Sequence, residues 1–320
     1  LEAIYEPRVL NCMYGFRPNR GCHGAIKELY KRMNNTKICY IVDADIKGFF
    51  DHMKYEWIIK FLNLYIKDPN IIGLVKKYLK VGVLDGGELM ASEEGSAQGN
   101  IISPILANIY MHNVLTLWYK FIITKECRGD NFLNVYADAF IAGFQYKWEA
   151  ENYYKLLKER MDKFGLQLEE SKSHLLQNGA YVARAKQKNG EYTRIETFDY
   201  LGFIFYCGRS RKGTPYIMPK TSSKKFRQKM RDIKEWLYAN RDQTLKELMG
   251  MLNLKLVGHY RYYGISFNGR MIANYKQQVR ELLFKVLNRR SDRKSYTKEG
   301  FIEMLKYYPL AMPKIYVSLF

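Results

Sequence analysis

Long hydrophobic runs are missing from this 320-residue chain. No apolar stretch reaches the roughly 18 residues that a membrane-spanning helix needs, so such a helix is excluded. Cysteine is scarce and scattered: Cys12, Cys22, Cys39, Cys127 and Cys207 are odd in number and form no CxxC pair. That pattern argues against a disulfide framework and against a zinc site, and it points to a reducing compartment. The five histidines are equally dispersed, and His23 beside Cys22 reads as a surface or packing residue. No internal repeat, low-complexity segment or signal-like n-region occurs. The chain starts at Leu1 without Met, so its N-terminus is expected to be a truncation or processing point. Acidic residues are short as well, 32 Asp and Glu against 52 Lys and Arg, a net charge of +20. So one-sided a charge implies a polyanionic partner, and without a membrane helix nucleic acid is the favoured one.

What is present begins with enough apolar residues, 47%, for a large core in two domains or in one domain with an appendage. Two apolar runs carry isolated carboxylates. Val135-Tyr136-Ala137-Asp138-Ala139-Phe140 lies among strand-forming residues (Leu133, Ile141, Phe144) with turn residues on either side, which predicts a β-hairpin with Asp138 near its tip. Tyr40-Ile41-Val42-Asp43-Ala44-Asp45 is a second strand ending in acids, followed by Ile46-Lys47-Gly48-Phe49-Phe50-Asp51. A lone Asp in a turn ordinarily bonds its own backbone. Two acid-bearing strand ends in a basic chain point instead to a divalent-metal phosphoryl-transfer site, where oxygen ligands hold the ions. Alternation puts Asp43 and Asp45 on one face and does not choose between them.

These residues resemble the reverse transcriptases encoded by group II introns. The YxDD motif of that family stands here as Tyr136-Ala137-Asp138-Ala139, DIxxFF as Asp45 to Phe50, and the motif around QG as Gly95-Ser96-Ala97-Gln98-Gly99-Asn100-Ile101-Ile102-Ser103-Pro104. Tyr14-Gly15-Phe16-Arg17-Pro18, Ile105 to Tyr110 and Phe198-Asp199-Tyr200-Leu201-Gly202-Phe203 extend the likeness over nearly the whole chain. Ala139 departs from it, because the family has a second Asp there. The resemblance implies an α+β fold, a right-hand polymerase palm (a ferredoxin-like antiparallel sheet with helices) with partial fingers and an α-helical thumb. It implies that Asp45 and Asp138 hold two Mg²⁺ ions, Mn²⁺ being the alternative, with Asp43 and Asp51 as other candidates for the metal role. Further roles follow from it: Arg17 reaching the triphosphate, the Ile46 backbone lining the metal site, Phe49 under the sugar, Tyr136 beside the substrate, Gln98 and Gly99 under the nascent base pair, and Lys172 as proton donor to pyrophosphate. Partners would be an RNA template or group II intron RNA, a DNA primer and deoxynucleoside triphosphates, in a bacterial or organellar ribonucleoprotein and not at a membrane. With Ala139 in place, catalysis is expected to be weak or lost. The alternative is a non-catalytic RNA-binding splicing factor that keeps the fold.

The remaining elements follow from periodicity. Helical stripes are expected at Ala25 to Met33 and within 55–81, 103–118 and 149–164, the third capped by Ser103 and the last ended by Gly165. Strands are expected at 166–176 and 200–203, around Val83 and around Glu88, with hairpin turns at Asp85-Gly86-Gly87 and at Gly190. The composition shifts near Lys220. From there to Phe320, 22 Lys and Arg face 8 Asp and Glu, so +14 of the charge lies in the last hundred residues. The reading divides the chain into 1–219, partial fingers and palm, and 220–320, a basic helical thumb or maturase X domain. Three stripes run through the latter, around Phe226 to Leu237, Leu245 to Leu256 and Val279 to Leu287, with Thr244 and Glu247 spaced as a capping box and Ser222 as a further cap. Opposite them stand Lys224, Lys225, Arg227, Lys229, Lys255, Arg261, Arg289 and Arg290, the expected contacts to nucleic-acid phosphates. RNA affinity should then fall linearly in log salt. Neutralising Lys224, Lys225 and Arg227 together should flatten that slope by roughly 0.9 per lost contact, and an unchanged slope would make them an ordinary solvated face.

Overall fold

A computed structural model describes residues 1–80, 83–85, 88–90, 101–171, 173–191, 195–289 and 296–320. The helices are α1 (Glu2–Tyr5), α2 (Cys22–Asn35), α3 (Phe49–His52), α4 (Tyr55–Asn63), α5 (Pro69–Lys80), α6 (Ser103–Met111), α7 (Thr124–Glu126), α8 (Lys147–Lys163), α9 (Ala180–Lys188), α10 (Ser223–Ala239), α11 (Leu245–Tyr263), α12 (Gly269–Leu287) and α13 (Lys298–Tyr307). The strands are β1 (Tyr40–Asp45), β2 (Val83–Asp85), β3 (Glu88–Met90), β4 (Asn131–Tyr136), β5 (Ala139–Phe144), β6 (His174–Gln177), β7 (Phe198–Tyr200), β8 (Phe203–Arg209) and β9 (Pro215–Thr221). Packing gathers them into two compact units, residues 1–198 with 207–217, and residues 199–206 with 218–320. The change of composition at Lys220 and the division by packing therefore differ: β7 and most of β8 group with the basic helices.

The first unit is built on an antiparallel sheet in the order β4-β5-β1-β6. In chain order its strands are β1, helices, β4, β5, α8, β6, which is the split βαβ arrangement of a ferredoxin-like fold. One face carries Val42, Ala44, Val135, Phe140, Ala142 and Phe144 into the main core, where they meet Tyr153 and Leu157 of α8 and Tyr110 of α6. The other face is covered in part by α2, to which β4 is tied by Asn134 Nδ2 donating to Ala25 O at 2.9 Å. Between α6 and α7 the helix widens into two π-helical turns, His112–Thr116 and Tyr119–Ile123.

Some boundaries differ from expectation. Ser103 is the first residue of α6 and Ile102 takes the cap position. The strand expected from Leu166 is shortened to His174–Gln177, with Leu168 bridging singly to Ile46. Gly190 closes the helix α9 and not a hairpin, its N–H bonding Gln187 O at 3.1 Å. The pairing of Val83–Asp85 with Glu88–Met90 is as expected, while Gly86 and Gly87 lie outside the described residues.

In the second unit, Tyr200-Leu201-Gly202-Phe203 is a turn and not a continuous strand. Leu201 and Gly202 have φ of 49° and 80°, which suits the two-residue loop of a tight hairpin. Tyr262 Oη donates to Leu201 O at 2.9 Å and holds it. Apolar stripes on α10 (Phe226, Ile233, Leu237), α11 (Leu248, Leu252, Leu256) and α12 (Val279, Leu283, Val286) are buried as the periodicity requires. The Thr244 to Glu247 capping box is present.

One tie of the first unit has no signature in the sequence. Asn34, buried at the end of α2, donates through Nδ2 to Ile217 O at 3.0 Å and accepts from Ile217 N at 2.9 Å. Removing its amide in Asn34→Ala strands both backbone groups, at a cost of about 1–3 kcal/mol. The denaturant midpoint of that variant should drop well below that of Asn35→Ala, which truncates an exposed neighbour; equal midpoints would rule the tie out.

Candidate active site

The site grows out of strand register. Asp45 pairs with Ala139 and Asp43 with Ile141 across β1 and β5, while Tyr136 pairs with Ala139 and Asn134 with Ile141 across β5 and β4. Directly opposed residues share a face, so Asp45, Ala139 and Tyr136 form one row at the sheet end. Asp43, Ile141 and Asn134 form the next row in, joined by His174 of β6. Asp138 occupies the turn beyond Tyr136. A side chain at position 139 has its Cβ about 4.5–5.5 Å from that of Asp45. A carboxylate there would complete a cluster of three acids; the methyl group of Ala139 leaves Asp45 and Asp138.

The turn is held in an unfavourable backbone state. Ala137 has φ of 55°, a left-handed value that costs a residue with a Cβ on the order of 1 kcal/mol. The N-terminal loop supports it: Val135 N donates to Cys12 O at 2.8 Å and Tyr14 N to Val135 O at 2.9 Å. Gly15 then lies so close that a Cβ on it would fall 2.7 Å from Ala137 N. Only glycine permits that approach. Asn108 of α6 in turn donates to Gly15 O at 2.9 Å. On the other side of the acids, Glu169 N donates to Asp45 O at 2.8 Å and Lys47 N to Gln167 O at 2.9 Å, so the backbone after β1 is fixed as well. Gly15 and Asn108 lie within motif stretches, but nothing in their spacing shows that they prop the acidic turn.

The donor set suits magnesium in kind. Carboxylate oxygens are hard ligands, and Mg²⁺ takes one or two of them together with substrate phosphates and water. In number the set is short: among the described residues no three His, Cys, Asp or Glu side chains are grouped to hold an ion. Tyr136, half-buried, has its phenol raised above the ordinary 10.0 by burial and then by the Cys22 thiol, so it is a neutral donor at physiological pH.

Two expected substrate residues are otherwise engaged. The Arg17 side chain is 4% exposed, with Nε 3.0 Å from both Glu6 carboxylate oxygens, Nη2 2.8 Å from Oε1, and Nη1 donating to Leu10 O at 2.8 Å. It braces the N-terminal loop and is not an open cation for a triphosphate. Arg20 is likewise bonded to Asn11. Phe49 is 2% exposed and packs edge-on against Tyr110, with ring centroids 6.2 Å apart; it is a core residue, and Phe50 is the partly exposed ring of that turn. Ile46 is buried, with its backbone beside Asp45. Gln98, Gly99, Lys172 and Arg290 lie outside the described residues.

In the second unit Lys224, Lys225, Arg227, Lys229, Lys255, Arg261 and Arg289 are all exposed. Lys229 pairs with Asp232 at 3.3 Å, Lys255 lies 4.8 Å from the Trp236 ring centroid, and Arg289 donates to Tyr238 Oη at 2.9 Å. His259 adds no charge: burial, then Lys229, lowers it to about 4, and it stacks on Tyr275 at 3.7 Å. No helix among the described residues is long and apolar enough to cross a membrane.

Residues 1–205 match the family described as reverse transcriptase (RNA-dependent DNA polymerase), and residues 223–301 match the group II intron, maturase-specific domain. The chain is 41% identical over 125 residues to the group II intron-encoded protein LtrA of Lactococcus lactis subsp. cremoris, which is 38% of this chain and 20% of that protein. It is 41% identical over 115 residues, 36% of this chain and 14% of the relative, to an uncharacterized 91 kDa protein in the cob intron of Schizosaccharomyces pombe. These matches span a fifth or less of the relatives' own length. Telomerase from Candida albicans, solved with a TWJ fragment of telomeric RNA, aligns over 89% of this chain and 48% of that one at a TM-score of 0.44 and 12% identity, too distant to bear on the argument.

Phe49→Ala should cost about 3–5 kcal/mol of stability as a buried aromatic deletion, read from the denaturant midpoint. An unchanged midpoint, together with a new tolerance for ribonucleotides when the substitution is made in the Ala139→Asp background, would return Phe49 to the substrate.

Proposed function

The chain belongs to the reverse transcriptase family and carries the group II intron maturase-specific domain, and from that premise we propose that it is an RNA-directed DNA polymerase by descent whose chemistry is impaired and whose RNA binding is kept. The observation that carries this reading is the row Asp45, Ala139, Tyr136 with Asp138 in the adjoining turn. Asp45 and Asp138 are the residues that would hold the divalent ions the family uses; when bound, such ions supply positive charge to the primer 3′-hydroxyl and to the triphosphate. The protein's own part is positioning. The supported hairpin fixes the turn that carries Asp138 at the sheet end where Asp45 stands, Tyr136 offers a hydroxyl donor in the same row as Asp45, and Lys172 is assigned the proton for departing pyrophosphate. Gln98 and Gly99 are assigned to the nascent base pair. Arg17 and Phe49 drop out of the substrate set. The exposed cations of α10 to α12 take RNA or primer–template phosphates, which fix register without reading sequence.

Ala139 supports a second reading, a splicing factor without polymerase activity. Two ions close together repel each other, and losing one of three carboxylates should weaken their occupancy and slow the chemical step by orders of magnitude. The phosphate contacts of the basic helices are untouched by that loss. Primer extension on an RNA template with Mg²⁺ should therefore be barely detectable for this chain and should rise by orders of magnitude in Ala139→Asp, with RNA affinity little changed. A folded, RNA-binding Ala139→Asp variant that still fails to extend primers would leave the splicing-factor reading. Vigorous synthesis by the Ala139 form would show that two acids suffice.

A further inference from the structure

The first unit carries its own cluster of cations, away from the acidic row in the sequence and unclaimed by the roles above. The turn joining β8 to β9 reads Arg209-Ser210-Arg211-Lys212-Gly213, and its three cations are exposed. The turn is well ordered by its own bonds: Ser210 N donates to Thr214 O at 2.8 Å, Gly213 N to Ser210 O at 2.9 Å, and Thr214 N to Ser210 Oγ at 3.1 Å. It is also fastened to α9. Gln187 Nε2 donates to Gly213 O and Arg184 Nε to Pro215 O, each at 3.3 Å, and the Arg184 guanidinium lies 5.0 Å from the Tyr216 ring centroid. The last turn of α9 adds Lys186, bonded to Gln177 Oε1 at 2.7 Å, and exposed Lys188. The acids of the neighbourhood are Glu191, whose N–H bonds Lys186 O, and Glu196, whose carboxylate accepts from Gln177 N. Neither reaches the turn, and among the described residues Lys188, Arg209, Arg211 and Lys212 make no ion pair or side-chain hydrogen bond.

From this geometry we infer that the β8–β9 turn and the end of α9 form a second phosphate-binding surface, for the backbone of a structured RNA, in addition to the cations of the basic helices. This rests on the RNA-binding reading above. Three cations within four residues make a local positive field, with no carboxylate among the described residues paired to them. A turn pinned by its own hydrogen bonds and by α9 loses little conformational entropy when phosphates dock. Contacts to phosphates position RNA and do not select its sequence.

The test uses the whole chain with Arg209→Gln, Arg211→Gln and Lys212→Gln combined. Its control neutralises three exposed lysines of the same unit, Lys125, Lys155 and Lys163. Both are titrated against a folded intron transcript over a range of KCl, with melting temperature as the folding check. Steep salt-dependent binding by the unsubstituted chain is the condition set by the RNA-binding reading, and its failure counts against that reading alone. Given that binding, the turn variant should bind more weakly with a log–log slope flatter by about 2, while the control keeps the original slope. Equal slopes in turn variant and original, or equal flattening in the control, overturn the inference. So does a turn variant that loses only its binding to phosphatidylserine vesicles.

Discussion

The pairing of β1 with β5 is the constraint on which the candidate site depends. A strand has a period of two, so a slip of β1 by one residue would carry Asp45 to the packed face and Ala44 to the other. Burial of Val42 and Ala44 in the main core forbids that slip, because they would have to exchange places with Asp43 and Asp45. Core packing thus sets the acids, although no acid belongs to the core. The turn that presents Asp138 depends on this register too, and its left-handed Ala137 persists because the Gly15 loop and Asn108 press against it from outside.

Charge is distributed along the same lines. The protein sets few carboxylates against many cations, and at the sheet end an alanine opposite Asp45 spares that acid the like-charge repulsion a second carboxylate would bring. The exposed Lys and Arg proposed to take polyanions owe nothing to the acidic row, so on that proposal loss of one activity need not entail loss of the other. Not every cation belongs to such a surface. Arg17 sits on a motif loop, yet its fork is closed on Glu6 and two backbone carbonyls, where it joins the first helix to the loop that props the turn.

Much of the architecture was legible in local patterns. The hairpin around Asp138, the strand ending at Asp45, the helical stripes of α8 and α10 to α12 and the Thr244 to Glu247 capping box each repeat a short-range rule in consecutive residues. The misreadings share a cause. Tyr200 to Phe203 has strand-forming residues, but Leu201 and Gly202 adopt positive φ and reverse the chain, held by a tyrosine sixty-one residues away. Gly190 has the composition of a hairpin turn and ends a helix instead, because α9 packs on α2 and β9 supplies its partners. Phe49 and Phe50 are equivalent by type, and only the position of Tyr110 decides which ring is buried.

By itself the sequence determined the kinds of element, the presence of acids at two strand ends and the concentration of positive charge toward the C-terminus, since each is a property of residues near one another in the chain; the preference for Asp45 and the departure at Ala139 came with the family resemblance. Tertiary structure alone decided that Asp45 faces Ala139 and Tyr136, that Gly15 and Asn108 hold the turn, that Arg17 belongs to Glu6, and that α9 and the β8–β9 turn present their cations together. Those are relations between residues far apart in sequence, and their partners are selected by the burial of apolar surface and the pairing of buried polar groups, which act through space and leave no local period to read.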